Sequence, residues 1–527
     1  GVLNINDPVA DYLPDIFASE HRGTEVTIAQ LLEHTAGLAG SAPREYATQA
    51  PGLLPSEYVS QRQPFELRWD PGLHYSYSNG GYTIAGAVIE KAWGADFDTL
   101  IRRELLDPLG MDETTFNADS PPSFGPDGEL ARPWRMPVRP AGSAVTTAAD
   151  LAQVLAVLLD NGGSFLSSES IARLERGETG ILAQAGGGVG AYGLGTFAYV
   201  AGDSVLRAHW GKTEGFRATL AYTNESSPGS GYVLLVDTAD GRAIGQLRSL
   251  LNAYVTDNTP APSVPAKSVG SLPPDYSGVY VNASHDGQQR AWLFALLGAR
   301  QLSPTPDGVR VVPLFFGWPS EWRRLDNDLY QASSIPVPSG ATWSDGSTRY
   351  WVDGESYRQS SALSVYGQIA ILFAGIAACI ISLLTWPFVI THRLWRRSRA
   401  RKDLPDQPED KVQTTRHLPK YSLWPHSTAI ASLSMLTLLV GFLYHQLVSD
   451  LAIVARIGSF GPAAIVLFLS SMILPVSLVF SVGALLKNAS QRGQIVSTLY
   501  GGALTLILSV ACILLVSYQL VPLWSML

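Results

Sequence analysis

The chain runs to 527 residues, a length that suggests about three domains. Its formal net charge of −8 argues against a nucleic-acid partner, because phosphate binding needs a basic face. Charged residues make up only 16%, and the two cysteines, Cys379 and Cys512, fall inside apolar runs, so neither a disulfide framework nor a Cys-based metal site is readable. The apolar excess lies beyond Ala362, which divides the chain into a water-soluble body and a hydrophobic tail.

The first residues, Gly1-Val2-Leu3-Asn4-Ile5-Asn6, carry no initiator Met, charged n-region or apolar h-region, and the chain is expected to begin inside a domain. Over 1–257 amphipathic helices mix with short strands. Thr27-x-x-Gln30 has the form of a capping box opening a helix, and Thr147-x-x-Asp150 precedes Leu151, Val154, Leu155, Leu158 and Leu159 at helical spacing. Segments 217–223 and 231–237 read as strands joined by a turn-rich stretch, and 244–255 as a closing amphipathic helix. Residues 258–274 have linker composition, with Pro260, Pro262, Pro265, Pro273 and Pro274 among small residues. The stretch 275–360 is rich in Tyr, Trp, Val and turn residues and reads as a small β-rich module without motif spacing.

Apolar runs at 363–390, 428–448, 461–486 and 495–520 each reach the roughly 20 residues that cross a bilayer as a helix. The 391–427 loop carries Arg393, Arg396, Arg397, Arg399, Arg401 and Lys402. The next loop holds only Arg456, and the third Lys487 and Arg492. This alternation places the first and third loops in the cytoplasm and the soluble body outside. His445 is the main ionisable residue within the spans, near the outer end of its helix, and a headgroup-level role suits it better than a transport pathway.

Three blocks of the body carry chemistry: Tyr77-Ser78-Asn79 flanked by Pro71-Gly72 and Gly80-Gly81, Pro140 to Asp150, and Ala208-His209-Trp210-Gly211-Lys212-Thr213-Glu214-Gly215-Phe216. In an extended chain Tyr77 and Asn79 share a side, as do His209 and Gly211, while Trp210 points away. A Tyr-x-Asn alone is most often a turn with a packed ring, and a lone strand histidine is most often structural. Their joint order is what gives them weight. With Thr27 to Leu38 and Pro108-Leu109-Gly110-Met111 in register, the 1–237 region resembles the serine β-lactamases of the class C kind, the D-alanyl-D-alanine carboxypeptidases and related penicillin-binding proteins and esterases.

The resemblance implies an α+β fold: a β-lactamase/transpeptidase-like domain (antiparallel sheet with flanking helices), followed here by the β-rich module and four transmembrane helices. It implies that Tyr77, Asn79 and His209 are catalytic. Trp210, Gly211 and Lys212 would form the substrate-binding and oxyanion strand, with the Lys212 backbone N–H in the oxyanion hole. The bulk of Trp210 departs from the family's usual Thr or Ser there. The family's Ser-x-x-Lys is absent, since none of Lys91, Lys212, Lys267, Lys402, Lys411, Lys420 and Lys487 follows a serine at that spacing. The nucleophile is therefore expected upstream of Gly1, and this segment alone is expected to be inactive. The resulting expectation is a serine hydrolase of the cytoplasmic membrane, facing the periplasm or exterior, that acts on a lactam, D-alanyl or peptidoglycan-like peptide, or ester. No cofactor or metal is indicated. The alternative is a non-catalytic sensor of wall peptide or lactam, motivated by the missing serine and by four helices where one would anchor.

Overall fold

The computed structural model describes residues 2–18, 25–38, 53–119, 121–124, 130–131, 139–202, 204–213, 215–225, 228–237, 240–257, 259, 268–283, 295–326, 328–335, 337–402, 424–447, 462–489 and 495–517. They fall into two compact units, Gly1–Ala362 and Leu363–Leu527.

The first unit opens with a helical lobe. Helix α1 (Ile28–Leu32) starts where the sequence marks it: the Thr27 hydroxyl accepts from the Gln30 N–H at 3.3 Å, and the Gln30 side chain accepts from the Thr27 N–H at 2.9 Å. Helices α2 (Pro55–Arg62) and α3 (Asn79–Trp93) pack beside it over a core that includes Val9, Ile16, Leu31, Val59, Ile84 and Val88. Short helices α4 (Phe97–Ile101) and α5 (Asp107–Leu109) and a ribbon of β1 (Ser123–Phe124) with β2 (Leu130–Ala131) precede α6 (Ala148–Leu159) and α7 (Ser168–Glu175). At α6 the Thr147 hydroxyl caps the Asp150 N–H. The Asp150 carboxylate does not return the bond; it accepts instead from the Glu113 N–H and the Thr114 hydroxyl.

Strands β3 (Phe197–Ala201), β4 (Ser204–Lys212), β5 (Phe216–Thr223) and β6 (Ser230–Asp237) form one antiparallel sheet in sequence order. Helix α8 (Gly241–Thr256) covers one face, where Val255 packs with Leu206, Ala208, Ala221 and Tyr232. On the opposite face α6 supplies Leu155 and Leu158 against Tyr222 and Leu220. Residues 258 and 260–267 of the Pro-rich linker lie outside the described residues. Its last part lies along the following module, with the Leu272 N–H donating to Gly308 O at 2.9 Å.

The β-rich module is a closed eight-stranded antiparallel barrel. Its strands are β7 (Gly278–Asn282), β8 (Arg300–Thr305), β9 (Gly308–Pro313), β10 (Ser320–Asp326), β11 (Leu329–Ala332), β12 (Gly340–Ser344), β13 (Arg349–Val352) and β14 (Ser356–Ser360). Side chains fill its interior: Tyr280, Trp322, Tyr330, Trp351 and Tyr357 pack with Leu302, Val309 and Val311, so the middle of the barrel is a core and not a channel. Within the module Asp353 pairs with Arg300, and Glu355 accepts from Asn282 and Tyr357. Outside, the β11–β13 wall meets the helical lobe. Ala341 and Val352 join Ile181 and Leu182 in one apolar seam, and the Tyr350 ring stands 5.0 Å from that of His74.

The second unit holds helices α9 (Ala362–Lys402), α10 (Trp424–Leu447), α11 (Pro462–Ala489) and α12 (Ile495–Ser517). Three of them contain spans long and apolar enough to cross a membrane: Ala362–His392, Phe468–Lys487 and Val496–Ile513. The expectation of four is thereby narrowed, because the described apolar part of α10, Pro425–Val440, is shorter. The side chain of His445 lies outside the described residues. Small and hydroxylated residues join the helices: Ser481 donates to Ser427 at 2.7 Å, and Thr385 and Tyr500 share a hydrogen bond at 2.9 Å.

Candidate active site

The Tyr-x-Asn block is placed by the turn that follows α1. His34 adopts a left-handed backbone, φ 58°, which swings its carbonyl and imidazole toward the incoming segment 70–78. His34 O accepts from the Ser76 N–H at 2.7 Å, and His34 Nδ1 accepts from the Ser78 N–H at 3.1 Å. The same segment is held from its other end. The Gly72 N–H donates to Thr35 O, while Gly72 O and Leu73 O accept from the N–H groups of Gly180 and Ile181. Ser78 then caps α3, its Oγ accepting from the Gly81 N–H at 3.2 Å, so Asn79 is the first helical residue and Ser78 the last extended one, directly after Tyr77. Tyr77 is 38% exposed, whereas Ser76 and Ser78 on either side of it are buried.

Beneath this segment lies Glu33, whose carboxylate is fully buried. It accepts from Arg173 Nη2 at 2.5 Å, from the Thr179 hydroxyl at 2.6 Å and from the N–H groups of Thr179 and Glu178 at 2.7 and 3.0 Å. The turn carrying His34 and the loop carrying Gly180 are thus bound to one anion.

The second wall is β4. Its pairing with β3 ends at Phe197↔Ala208, while its pairing with β5 continues through His209↔Leu220, Gly211↔Ala218 and Lys212↔Arg217. The edge of residues 209–212 therefore runs on past β3. Strand alternation puts His209 and Gly211 on the face of Leu220, opposite α8. Gly211 leaves the His209 face of the strand without a side chain at this position, and a Cβ there would lie 3.1 Å from that of Ala218. Trp210 projects to the α8 face, where its ring meets Phe197 and Tyr199 edge-on and lies under the Arg248 guanidinium at 4.7 Å. Lys212 is exposed at the strand end.

Tyr192 joins the two walls. Its ring lies 4.7 Å from His34 and 6.3 Å from His209, and the His34 ring in turn lies 4.2 Å from Tyr77. Tyr77 and His209 therefore border one aromatic cluster that also contains Tyr75, Tyr82 and Phe197. Burial governs its protonation. It holds the His34 imidazole down at about 3, with His209 adding to the effect, and it also lowers His209. Burial raises the Tyr82 and Tyr192 phenols. At neutral pH both histidines are uncharged, each with one donor and one acceptor nitrogen. Such a site can relay a proton at Tyr77 and orient a polar substrate from His209 and Asn79. Among the described residues no group of three or more His, Cys, Asp or Glu could hold a metal ion.

His34 and Tyr192 carry no motif of their own. His34 sits inside the Thr27–Leu38 block, and Tyr192 stands in Ala191-Tyr192-Gly193-Leu194-Gly195, whose glycines are the available sign of close packing. A Cβ on Gly193 would fall 2.2 Å from Leu174 O.

The family model that matches this chain is that of the Beta-lactamase family, over residues 1–255. Among similar proteins are Penicillin-binding protein 4 of Amycolatopsis lactamdurans, 28% identical over 34% of this chain and 52% of the relative, and a Beta-lactamase of Yersinia enterocolitica, 30% identical over 22% of this chain and 28% of the relative. The chain thus spans about half of the first relative and less of the second. Similar solved structures include the octameric penicillin-binding protein homologue from Pyrococcus abyssi, 18% identical, TM-score 0.40, covering 68% of this chain and 83% of that one. Residues 1–255 thus match the Beta-lactamase family model, and the similar proteins include a penicillin-binding protein and a β-lactamase.

Proposed function

We propose that the protein is a membrane-held serine hydrolase that works outside the cytoplasmic membrane by acyl transfer. A serine hydroxyl adds to the carbonyl of a lactam, a D-alanyl peptide or an ester. The amine or alcohol leaves with a proton, and water then hydrolyses the acyl-enzyme. Tyr77 relays the proton between nucleophile and leaving group, while Asn79 and His209 hold the substrate. Gly211 leaves room for the acyl group, and the Lys212 N–H donates to the developing oxyanion. The observation that carries this reading is the aromatic cluster that links Tyr77, through His34 and Tyr192, to His209. The names of the relatives, a penicillin-binding protein and a β-lactamase, support the substrate class. Three apolar spans and the basic stretch at the end of α9 support the membrane location and the outward-facing body.

The reading requires a Ser-x-x-Lys pair, which the 527 residues do not contain. The test is to treat the full gene product, including whatever its reading frame encodes before Gly1, with a fluorescent penicillin and a fluorophosphonate, and to map the adduct by mass spectrometry. A covalent adduct on a serine followed three residues later by lysine is the expected result. No adduct with either probe overturns the proposal and leaves a binding protein.

A further inference from the structure

We infer that His34 is the positioning residue of the Tyr77–Asn79 pair, its imidazole acting as a side-chain rung that continues the main-chain ladder under residues 76–78. In an extended chain N–H groups two residues apart point to the same side. The Ser76 N–H is accepted by His34 O at 2.7 Å. Past that point the left-handed backbone at His34 turns the main chain away, and the Ser78 N–H is accepted by His34 Nδ1 at 3.1 Å. One residue thus fixes two successive rungs, and the second lies between Tyr77 and Asn79.

The imidazole also sets the plane of the phenol. It is 2% exposed and packed against Tyr77 at 4.2 Å, Tyr192 at 4.7 Å and Tyr82 at 5.2 Å, with the Tyr82 hydroxyl tied to Leu32 O. Because Nδ1 accepts, the hydrogen-bond pattern assigns the ring proton of neutral His34 to Nε2, which has no hydrogen-bond partner among the described residues. A protonated ring would lose the acceptor that holds Ser78. Rates depend steeply on the placement of reacting groups, so a loosened Tyr77 lowers turnover more than it lowers substrate affinity.

The catalytic part of this inference rests on the proposed acyl transfer, whereas the clamp itself does not. The test compares His34→Asn, His34→Gly and His34→Leu in the full-length protein. Asparagine tolerates the left-handed conformation and presents Oδ1 where Nδ1 stood, glycine removes the acceptor without backbone strain, and leucine removes it while filling the space. Amide exchange read by mass spectrometry over residues 75–79 is expected to accelerate about tenfold or more in the glycine and leucine variants and to stay within about threefold in the asparagine variant. Fluorophosphonate labelling is expected to lose about tenfold in maximal rate in the same two variants, with probe affinity unchanged, and to recover in His34→Asn. Unchanged exchange in His34→Gly and His34→Leu, or equal damage in all three, overturns the inference. If the unmutated protein forms no adduct, the proposed function falls, and the exchange data alone still decide the clamp.

Discussion

Replacing Glu33 by alanine removes one carboxylate and leaves its donors behind. The Arg173 guanidinium, the Thr179 hydroxyl and the N–H groups of Thr179 and Glu178 all converge on it within 3.0 Å, and the Glu33 side chain has no exposure. Breaking a buried ion pair by removing one partner costs about 3–5 kcal/mol, because the remaining charge stays desolvated. The separate bonds share two oxygens and do not contribute additively. At about 2 °C per kcal/mol for a large domain, Glu33→Ala should lower the unfolding midpoint of the first unit by about 6–10 °C. Glu33→Gln keeps one acceptor oxygen and should lose about half as much. Glu178→Ala is the control: its carboxylate is 43% exposed and bonds Arg173 at 3.2 Å, a contact worth at most about 1 kcal/mol. Thermal melts of the three variants, read by tryptophan fluorescence in detergent, decide the matter. A Glu33→Ala protein that melts with the unmutated one, or no lower than Glu178→Ala, would refute this account of the network.

Acid should destabilise the body through its buried histidines. His34 and His74 are held near 3 and 4, below the ordinary value of about 6.5, so the unfolded chain takes up protons that the native one refuses. Their contribution is complete above about pH 6.5 and is lost as pH falls toward 4, at up to about 1.4 kcal/mol per pH unit for each. Urea melts between pH 6.5 and 4.5 should show a shallower slope for His74→Asn, and an identical slope would count against the assignment. Tyr77→Phe should cut covalent labelling by about 100-fold or more while shifting the melting midpoint little, since the ring is retained; labelling within threefold of wild type would remove Tyr77 from proton transfer. Gly190→Ala should damage the seam with the barrel, because its Cβ would lie 2.3 Å from Pro338 O. Limited proteolysis should then cleave between the N-terminal region and the barrel faster, and an unchanged digestion pattern would contradict the packing described.

Local chemistry was legible in the residues, and long-range closure was not. The Thr27–Gln30 capping box depends on residues three apart and forms as its pattern indicates. Thr147 also caps its helix, but the Asp150 carboxylate is taken by Glu113 and Thr114, partners far away in sequence that no local pattern reveals. Strand alternation separated Trp210 from His209 and Gly211, because a period of two is a property of any extended chain. His34 had no such signal, since its role depends on Ser78, 44 residues away. The barrel closes through pairings such as β14 with β7, which composition alone does not carry; it could indicate only a β-rich stretch. In the second unit each of the four apolar runs falls on a described helix, yet only three of those helices contain spans long and apolar enough to cross a membrane, the described apolar length of α10 falling short.

The seam between Ile181, Leu182, Ala341 and Val352 bears on how this protein can be dissected. Composition draws a boundary at residues 258–274, and cutting there would divide the sequence into two tidy pieces. It would not divide the energetics. Each piece would expose an apolar wall that the other covers, and on the N-terminal side that wall belongs to the stretch leading into Tyr192. Gly1–Ala362 is accordingly one compact unit, and a cut at the linker runs through its packing rather than between two self-sufficient halves.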